Sequence, residues 1–153
     1  LGVAMSNQEF SNTYFDQVSV GDKLPQLAIE ITPSMIVSTA IASRDYQDVH
    51  HDRARAQELG SPDIFMNILT SNGLVGSYVA DWAGPEAIIS SVNIRLGAPN
   101  YPDDTMVMSG EVIAKRQDEG KYFVDLAVAG NNSKGVHVSG KVIIDLLKAA
   151  PCL

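Results

Sequence analysis

The sequence predicts an α+β domain in which an antiparallel sheet wraps around one long apolar helix, and three observations lead to this prediction. The chain has 153 residues, the size of one domain. Its longest apolar segment spans residues 64–82. Three later segments, residues 105–116, 121–130 and 136–147, alternate apolar and polar residues, as strands do in an antiparallel sheet with one face on the core.

Short elements are expected before the long helix. Residues 6–31 read as irregular and then extended, with a short strand over residues 27–31. Thr32 is a good N-cap and Pro33 suits the first helical position. We therefore expect a short amphipathic helix over residues 33–43.

A polar segment and a second short helix follow. Residues 44–51 are dense in ionisable groups. Asp52 can cap a helix over residues 53–59, and Gly60 can end it.

The long apolar segment predicts a buried helix over residues 64–82. Its apolar side chains surround nearly the whole circumference of a helix, which is typical of a buried one. Gly73 and Gly76 lower helix propensity, so we expect them to permit a close approach to a sheet. Residues 83–85, Ala-Gly-Pro, should end this helix.

The remaining residues predict the sheet. Residues 91–96 read as a strand, and Gly120 and residues 130–135 supply hairpin turns between the last three strands. In the last strand, residues 136–147, His137 falls on the polar face and is expected to be solvated.

A sheet wrapped around one central helix is the hotdog arrangement. We assign residues 6–148 to a single hotdog domain and set residues 1–5 aside as an expression remnant. A half-wrapped sheet of this kind leaves an edge or a face for a second chain to cover.

Composition excludes several classes of function. The net charge is −7, and no cluster of Lys or Arg forms a basic surface, so neither nucleic acid nor a membrane is an expected partner. The lone Cys152 excludes an internal disulfide. We find no signal-peptide pattern and expect a cytoplasmic protein. The three histidines and scattered acids lack metal-ligand spacing, so no metal is expected.

Asp45 and His50 are the leading candidates for chemistry. Five positions apart, they would lie about 140° apart on an α-helix, so they can converge only if the chain leaves the helix between them. A carboxylate and an imidazole can then move protons through one water molecule. Taken alone, the same stretch also fits a solvated charged loop between two helices.

Residues 45–50, Asp-Tyr-Gln-Asp-Val-His, resemble the signature of the MaoC-like (R)-specific enoyl-CoA hydratases: Asp, any residue, Asn, Pro, an aliphatic residue and His. Gln47 and Asp48 depart from the Asn and Pro of that signature. Residues 63–70, Asp-Ile-Phe-Met-Asn-Ile-Leu-Thr, are similar to the segment of the family that opens the central helix. The resemblance implies a hotdog fold and assigns catalysis to Asp45 and His50.

One branch of the family resembles this sequence more closely than the family signature does. Residues 38–52, 63–70, 81–85 and 95–97 resemble the small subunit of the actinobacterial steroid side-chain hydratase. That resemblance implies hydration of a steroid 17(20)-ene-20-carboxyl-CoA with no cofactor, since CoA belongs to the substrate. It also implies a partner, a second MaoC-like chain with a DUF35 domain, in a heterotetramer.

Asn67 stands where the broader family has a glycine whose backbone N–H faces the thioester oxygen. The resemblance implies an oxyanion or substrate-binding role for Asn67, because asparagine keeps that N–H and free N–H groups at a helix start favour negative charge. Two alternatives remain open for the whole chain: a hotdog acyl-CoA thioesterase, and a non-catalytic subunit that shapes the pocket of a partner.

Overall fold

The computed structural model describes residues 11–149, in which five strands form one antiparallel sheet. The strands are β1 (Lys23–Ile31), β2 (Ile88–Leu96), β3 (Asp104–Asp118), β4 (Lys121–Asn132) and β5 (Gly135–Asp145). Their order across the sheet is β1-β3-β4-β5-β2. The helices are α1 (Pro33–Ala42), α2 (Arg53–Glu58) and α3 (Ile68–Ala83), with 3₁₀ turns at Phe15–Gln17 and Asp48–His50.

The sheet wraps around α3, which confirms the predicted hotdog arrangement. α3 contacts both edge strands, β1 and β2, so the sheet curls around the helix. The inner faces of the sheet and α3 meet in one core, formed by residues that include Val75, Val79, Met106, Met108, Leu126 and Ile144.

The two short helices begin where their capping residues predicted. The Thr32 side chain accepts a hydrogen bond from the Met35 N–H, and the Asp52 side chain accepts one from the Arg55 N–H. Gly60 has a φ of 91° just beyond α2. That left-handed conformation suits glycine, which has no Cβ.

The predicted start and burial of the long helix are wrong. α3 begins at Ile68, because Asn67 caps it with an extended backbone, and residues 64–66 belong to no helix or strand. Ile68 is 60% exposed and Leu69 is 50% exposed, so α3 is not buried all round. A Cβ added at Gly73 or Gly76 would meet no atom within 4 Å, so neither glycine permits a close approach to the sheet within this chain.

The predicted solvation of His137 is also wrong. In the pairing of β5 with β4, Val138 faces Gly130 while Val136 faces Asn131, so His137 is an extra residue in a β-bulge. A bulge breaks the strict alternation of faces. His137 and Val138 are therefore both buried, and Val136 is half exposed.

Candidate active site

Asp45 is placed by the turn that ends α1. Arg44 has a φ of 57°, and its N–H donates to the Ile41 carbonyl at 3.0 Å. The Asp45 N–H donates to the Ala40 carbonyl at 2.9 Å. These two bonds form a Schellman motif, which turns the chain away from the helix axis. A non-glycine residue in this left-handed conformation is strained, and strained residues cluster at functional sites.

His50 is held by the segment that leads into α3. Its Nδ1 lies 2.7 Å from the Phe65 carbonyl oxygen, and its ring meets the Phe65 ring edge-on at 5.1 Å. A carbonyl oxygen only accepts, so Nδ1 carries the proton, and in the neutral ring Nε2 is left as an acceptor. His50 Nε2 lies 3.3 Å from Asp45 Oδ2. The chain does leave the helix between the two residues, as their convergence requires.

Asn67 joins the same cluster through its side chain. As the N-cap of α3, its Oδ1 accepts the Thr70 N–H at 2.9 Å. Its Nδ2 donates to Asp45 Oδ2 at 3.1 Å and to Ser43 Oγ at 2.8 Å. Its backbone N–H donates to no acceptor within residues 11–149. The structure therefore brings all three predicted site residues together.

These three residues line a cleft of about 310 Å³. Asp45, His50 and Asn67 form the polar end of this cleft. The apolar part of its wall is formed by Val49, Phe65, Met66, Ile68, Leu96 and Pro99. Few convergent polar groups in a mainly apolar cleft are typical of a small-molecule site. The volume is at the low end of the range for ligand pockets, roughly 300–1,000 Å³.

His137 also lines this cleft. Its Nδ1 lies 2.7 Å from the Ala98 carbonyl oxygen, so Nδ1 donates, and its Nε2 lies 2.8 Å from Ser71 Oγ. Burial lowers the pKa of the His137 imidazole below its ordinary value of 6.5, against the smaller opposing effect of the Ala98 bond. The Ser71 hydroxyl therefore donates to a neutral ring.

The two residues that depart from the family signature have separate environments. Gln47 lines the cleft, and its N–H lies 3.4 Å from Asp45 Oδ1. Asp48 faces outward and pairs with Arg55 at 3.6 Å and with His51 at 3.9 Å. His51 is exposed. No group of three or more potential metal ligands occurs in the part of the chain described.

Sequence reasoning missed the side-chain role of Asn67 and the contribution of Ser43. The predicted helix began at residue 64, which placed Asn67 inside it. The N-cap preference of asparagine would have moved the start to residue 68. No sequence signal marked Ser43, because its link to Asn67 spans 24 positions.

Comparison with known proteins matches both the fold and the family. A model of the MaoC-like domain matches residues 16–131. The β subunit of 3-oxo-4,17-pregnadiene-20-carboxyl-CoA hydratase from Mycobacterium tuberculosis is 50% identical over 127 residues, 83% of this chain and 95% of that protein. The crystal structure of the ChsH1-ChsH2 complex from the same organism matches with a TM-score of 0.78 at 50% identity, covering 84% of this chain and 98% of that one.

A more distant structure shares the fold. The unliganded (R)-hydratase PhaJ1 from Pseudomonas aeruginosa has a TM-score of 0.81 at 23% identity, with 90% of this chain and 88% of that chain covered.

The chain belongs to the MaoC-like domain family, and it is a hotdog-fold enzyme of the hydratase class. The predicted similarity to the small subunit of the steroid side-chain hydratase is confirmed by the mycobacterial relative. No helix within residues 11–149 is long and apolar enough to cross a membrane.

Proposed function

We propose that this chain adds water to a steroid 17(20)-ene-20-carboxyl-CoA thioester in steroid side-chain degradation, with Asp45 and His50 as the catalytic pair. The observation that carries the proposal is the 3.3 Å approach of His50 Nε2 to Asp45 Oδ2 at the polar end of the cleft. The steroid substrate is supported by the 50% identity to a subunit named as a pregnadiene-carboxyl-CoA hydratase.

Asp45 and His50 line the cleft side by side, so one water molecule lying against both side chains can donate a hydrogen to each. A carboxylate oxygen and Nε2 of a neutral imidazole are both acceptors, so either can take a proton from that water. The water oxygen forms a bond to Cβ as its proton leaves, and a proton is returned to Cα. The product is a 17-hydroxy acyl-CoA, and no cofactor takes part because CoA belongs to the substrate.

The Asn67 backbone N–H supplies a hydrogen-bond donor for the thioester oxygen. As the carbon–oxygen bond forms, negative charge develops on the thioester oxygen. The free N–H at the start of α3 can donate to that oxygen, and the helix dipole favours the charge. Asn67 lines the same cleft as Asp45 and His50, so one bound thioester can reach all three residues.

We also propose a MaoC-like partner chain with a DUF35 domain, in a heterotetramer, and a cytoplasmic location, where CoA thioesters are available. The relative of known structure is a two-chain complex. In this chain Ile68, Leu69 and the open sides of Gly73 and Gly76 leave one face of α3 uncovered. The small cleft also needs further walls to enclose a steroid.

Ultraviolet absorbance of the steroid enoyl-CoA tests the reaction. We expect the enoyl band to disappear when this chain is added with a co-expressed partner, without release of free thiol. Free CoA would instead indicate the thioesterase. Hydration that survives D45N in this chain and depends on the partner's residues would identify a non-catalytic subunit. An unchanged band with every enoyl-CoA, with or without the partner, would contradict the proposal.

A further inference from the structure

The side chain of Asn67 has a fixed orientation in the site. The Thr70 N–H can only donate, so the Asn67 atom that lies 2.9 Å from it must be the carbonyl Oδ1. The amide nitrogen Nδ2 therefore faces Asp45 and Ser43. Asn67 is 2% exposed, so water does not compete for these bonds.

The hydrogen bonds of Ser43 identify the acceptors of the two hydrogens on Asn67 Nδ2. The Ser43 hydroxyl lies 2.8 Å from the Thr39 carbonyl oxygen, so its single hydrogen is donated to the α1 backbone. Its oxygen is then free to accept one hydrogen from Asn67 Nδ2. The other hydrogen of Nδ2 goes to Asp45 Oδ2.

We propose that the Asn67 side chain is a positioning residue that fixes the Asp45 carboxylate for its shared water with His50. Asp45 Oδ2, the oxygen 3.3 Å from His50 Nε2, also accepts a hydrogen bond from Asn67 Nδ2 at 3.1 Å. This inference rests on the proposed function and deepens it. It is separate from the oxyanion role, which uses only the Asn67 backbone N–H.

The hydrogen bond from Asn67 matters because few other contacts fix the Asp45 carboxylate. Asp45 lies on the turn after α1, and the bond from Gln47 to its other oxygen is long, at 3.4 Å. Misplacement of a reacting group by about 1 Å can reduce the rate by roughly 100-fold. Asn67 connects this turn to the first turn of α3, in which Thr70 and Ser71 are buried.

Two substitutions separate this role from helix capping. N67S keeps an N-cap oxygen and the backbone N–H, but serine is too short to reach Asp45. N67D keeps the cap and the shape, and replaces the Nδ2 donor with a second carboxylate oxygen. T32A removes the N-cap of α1 instead, and serves as a control for destabilisation alone.

We expect N67S to keep the wild-type KM and to lose kcat about 10-fold. Its Tm should fall, because the two buried hydrogen bonds of Asn67 Nδ2 are lost. N67D should lose more, and the acid limb of its kcat/KM profile should move to higher pH, because two carboxylates would share one proton. Within residues 11–149, His50 is the basic side chain that lies within 4 Å of the Asp45 carboxylate. Both variants keep His50, so it does not account for a difference between their pH profiles. T32A should lower Tm without moving the pH profile. Wild-type kcat and pH profile in both Asn67 variants would overturn the proposal.

Nuclear magnetic resonance gives a readout that does not depend on turnover. We expect the Asn67 side-chain amide signals to shift in D45N, because one Nδ2 hydrogen then loses its carboxylate acceptor. An inactive wild type together with this shift in D45N would contradict the proposed function and support the contact. Asn67 amide signals that are the same in the wild type and D45N at every pH would overturn the positioning role.

Discussion

The two buried histidines of this protein are anchored alike and surrounded differently. In each, Nδ1 donates to a backbone carbonyl at 2.7 Å, from Phe65 for His50 and from Ala98 for His137. Nε2 of His50 faces the Asp45 carboxylate, whereas Nε2 of His137 faces the Ser71 hydroxyl. The two rings therefore differ in the group that Nε2 contacts. A carboxylate beside Nε2 suits His50 to proton transfer, whereas the hydroxyl beside Nε2 of His137 links β5 to α3.

The largest expected effect is on turnover at the Asp45–His50 pair. D45N and H50Q should each reduce kcat by about 10²–10⁴-fold, the usual contribution of general acid–base catalysis. The matched control is H51Q, because His51 is an exposed neighbouring histidine. We expect H51Q to keep wild-type kcat in the same absorbance assay. Equal activity in D45N, H50Q and H51Q would remove the distinction drawn between the two histidines.

The next effect is on stability at the His137–Ser71 pair. H137A should lower the free energy of unfolding by about 2–3 kcal/mol, because it leaves a cavity and removes the donor to the Ala98 carbonyl. S71A should lower it by about 1–2 kcal/mol, because the buried Nε2 loses its donor. Urea unfolding measures both. Folded S71A should keep kcat, and a kcat loss as large as that of D45N would place His137 in the chemistry.

The smallest effect is the pH dependence of stability. The pKa of His137 is lowered in the folded state, so the unfolded chain binds more protons as pH falls below 6.5. The stability from the neutral ring is complete above that pH and is lost in acid, by at most about 1.4 kcal/mol per pH unit. In urea unfolding between pH 7.5 and 5.5, H137Q should show a flatter dependence than the wild type. The same slope in both would show that another group causes it.

The sequence predicted the parts of the fold that depend on neighbouring residues. Thr32 and Asp52 capped the helices they were expected to cap. The alternation gave the correct buried face in β4 and in β3 as far as Val112, beyond which a bulge moves Ala114 off that face. The geometry joining Asp45 to His50 also required the chain to leave the helix, and it does. Their catalytic assignment came from family resemblance, since the residues alone also fitted a solvated charged loop between two helices.

The parts that the sequence did not predict depend on contacts between distant segments. The bulge at His137 adds one residue without changing the apolar pattern that follows it, so simple alternation placed the ring outside. The exposure of Ile68 and Leu69 could not be inferred, because apolar composition does not show which chain covers a helix. The bond from Asn67 to Asp45 spans 22 positions and has no local signal.

The bulge in β5 also bears on how the protein could tolerate changes in chain length. Deleting one residue at position 137 would leave a regular ladder with β4, and the hairpin itself would still close. The hydroxyl of Ser71 and the carbonyl of Ala98 would then face an empty space where the imidazole had been. A deletion in this hairpin would therefore remove the His137 imidazole from the wall of the cleft. The change would lie far in sequence from Asp45, His50 and Asn67, which line the same cleft.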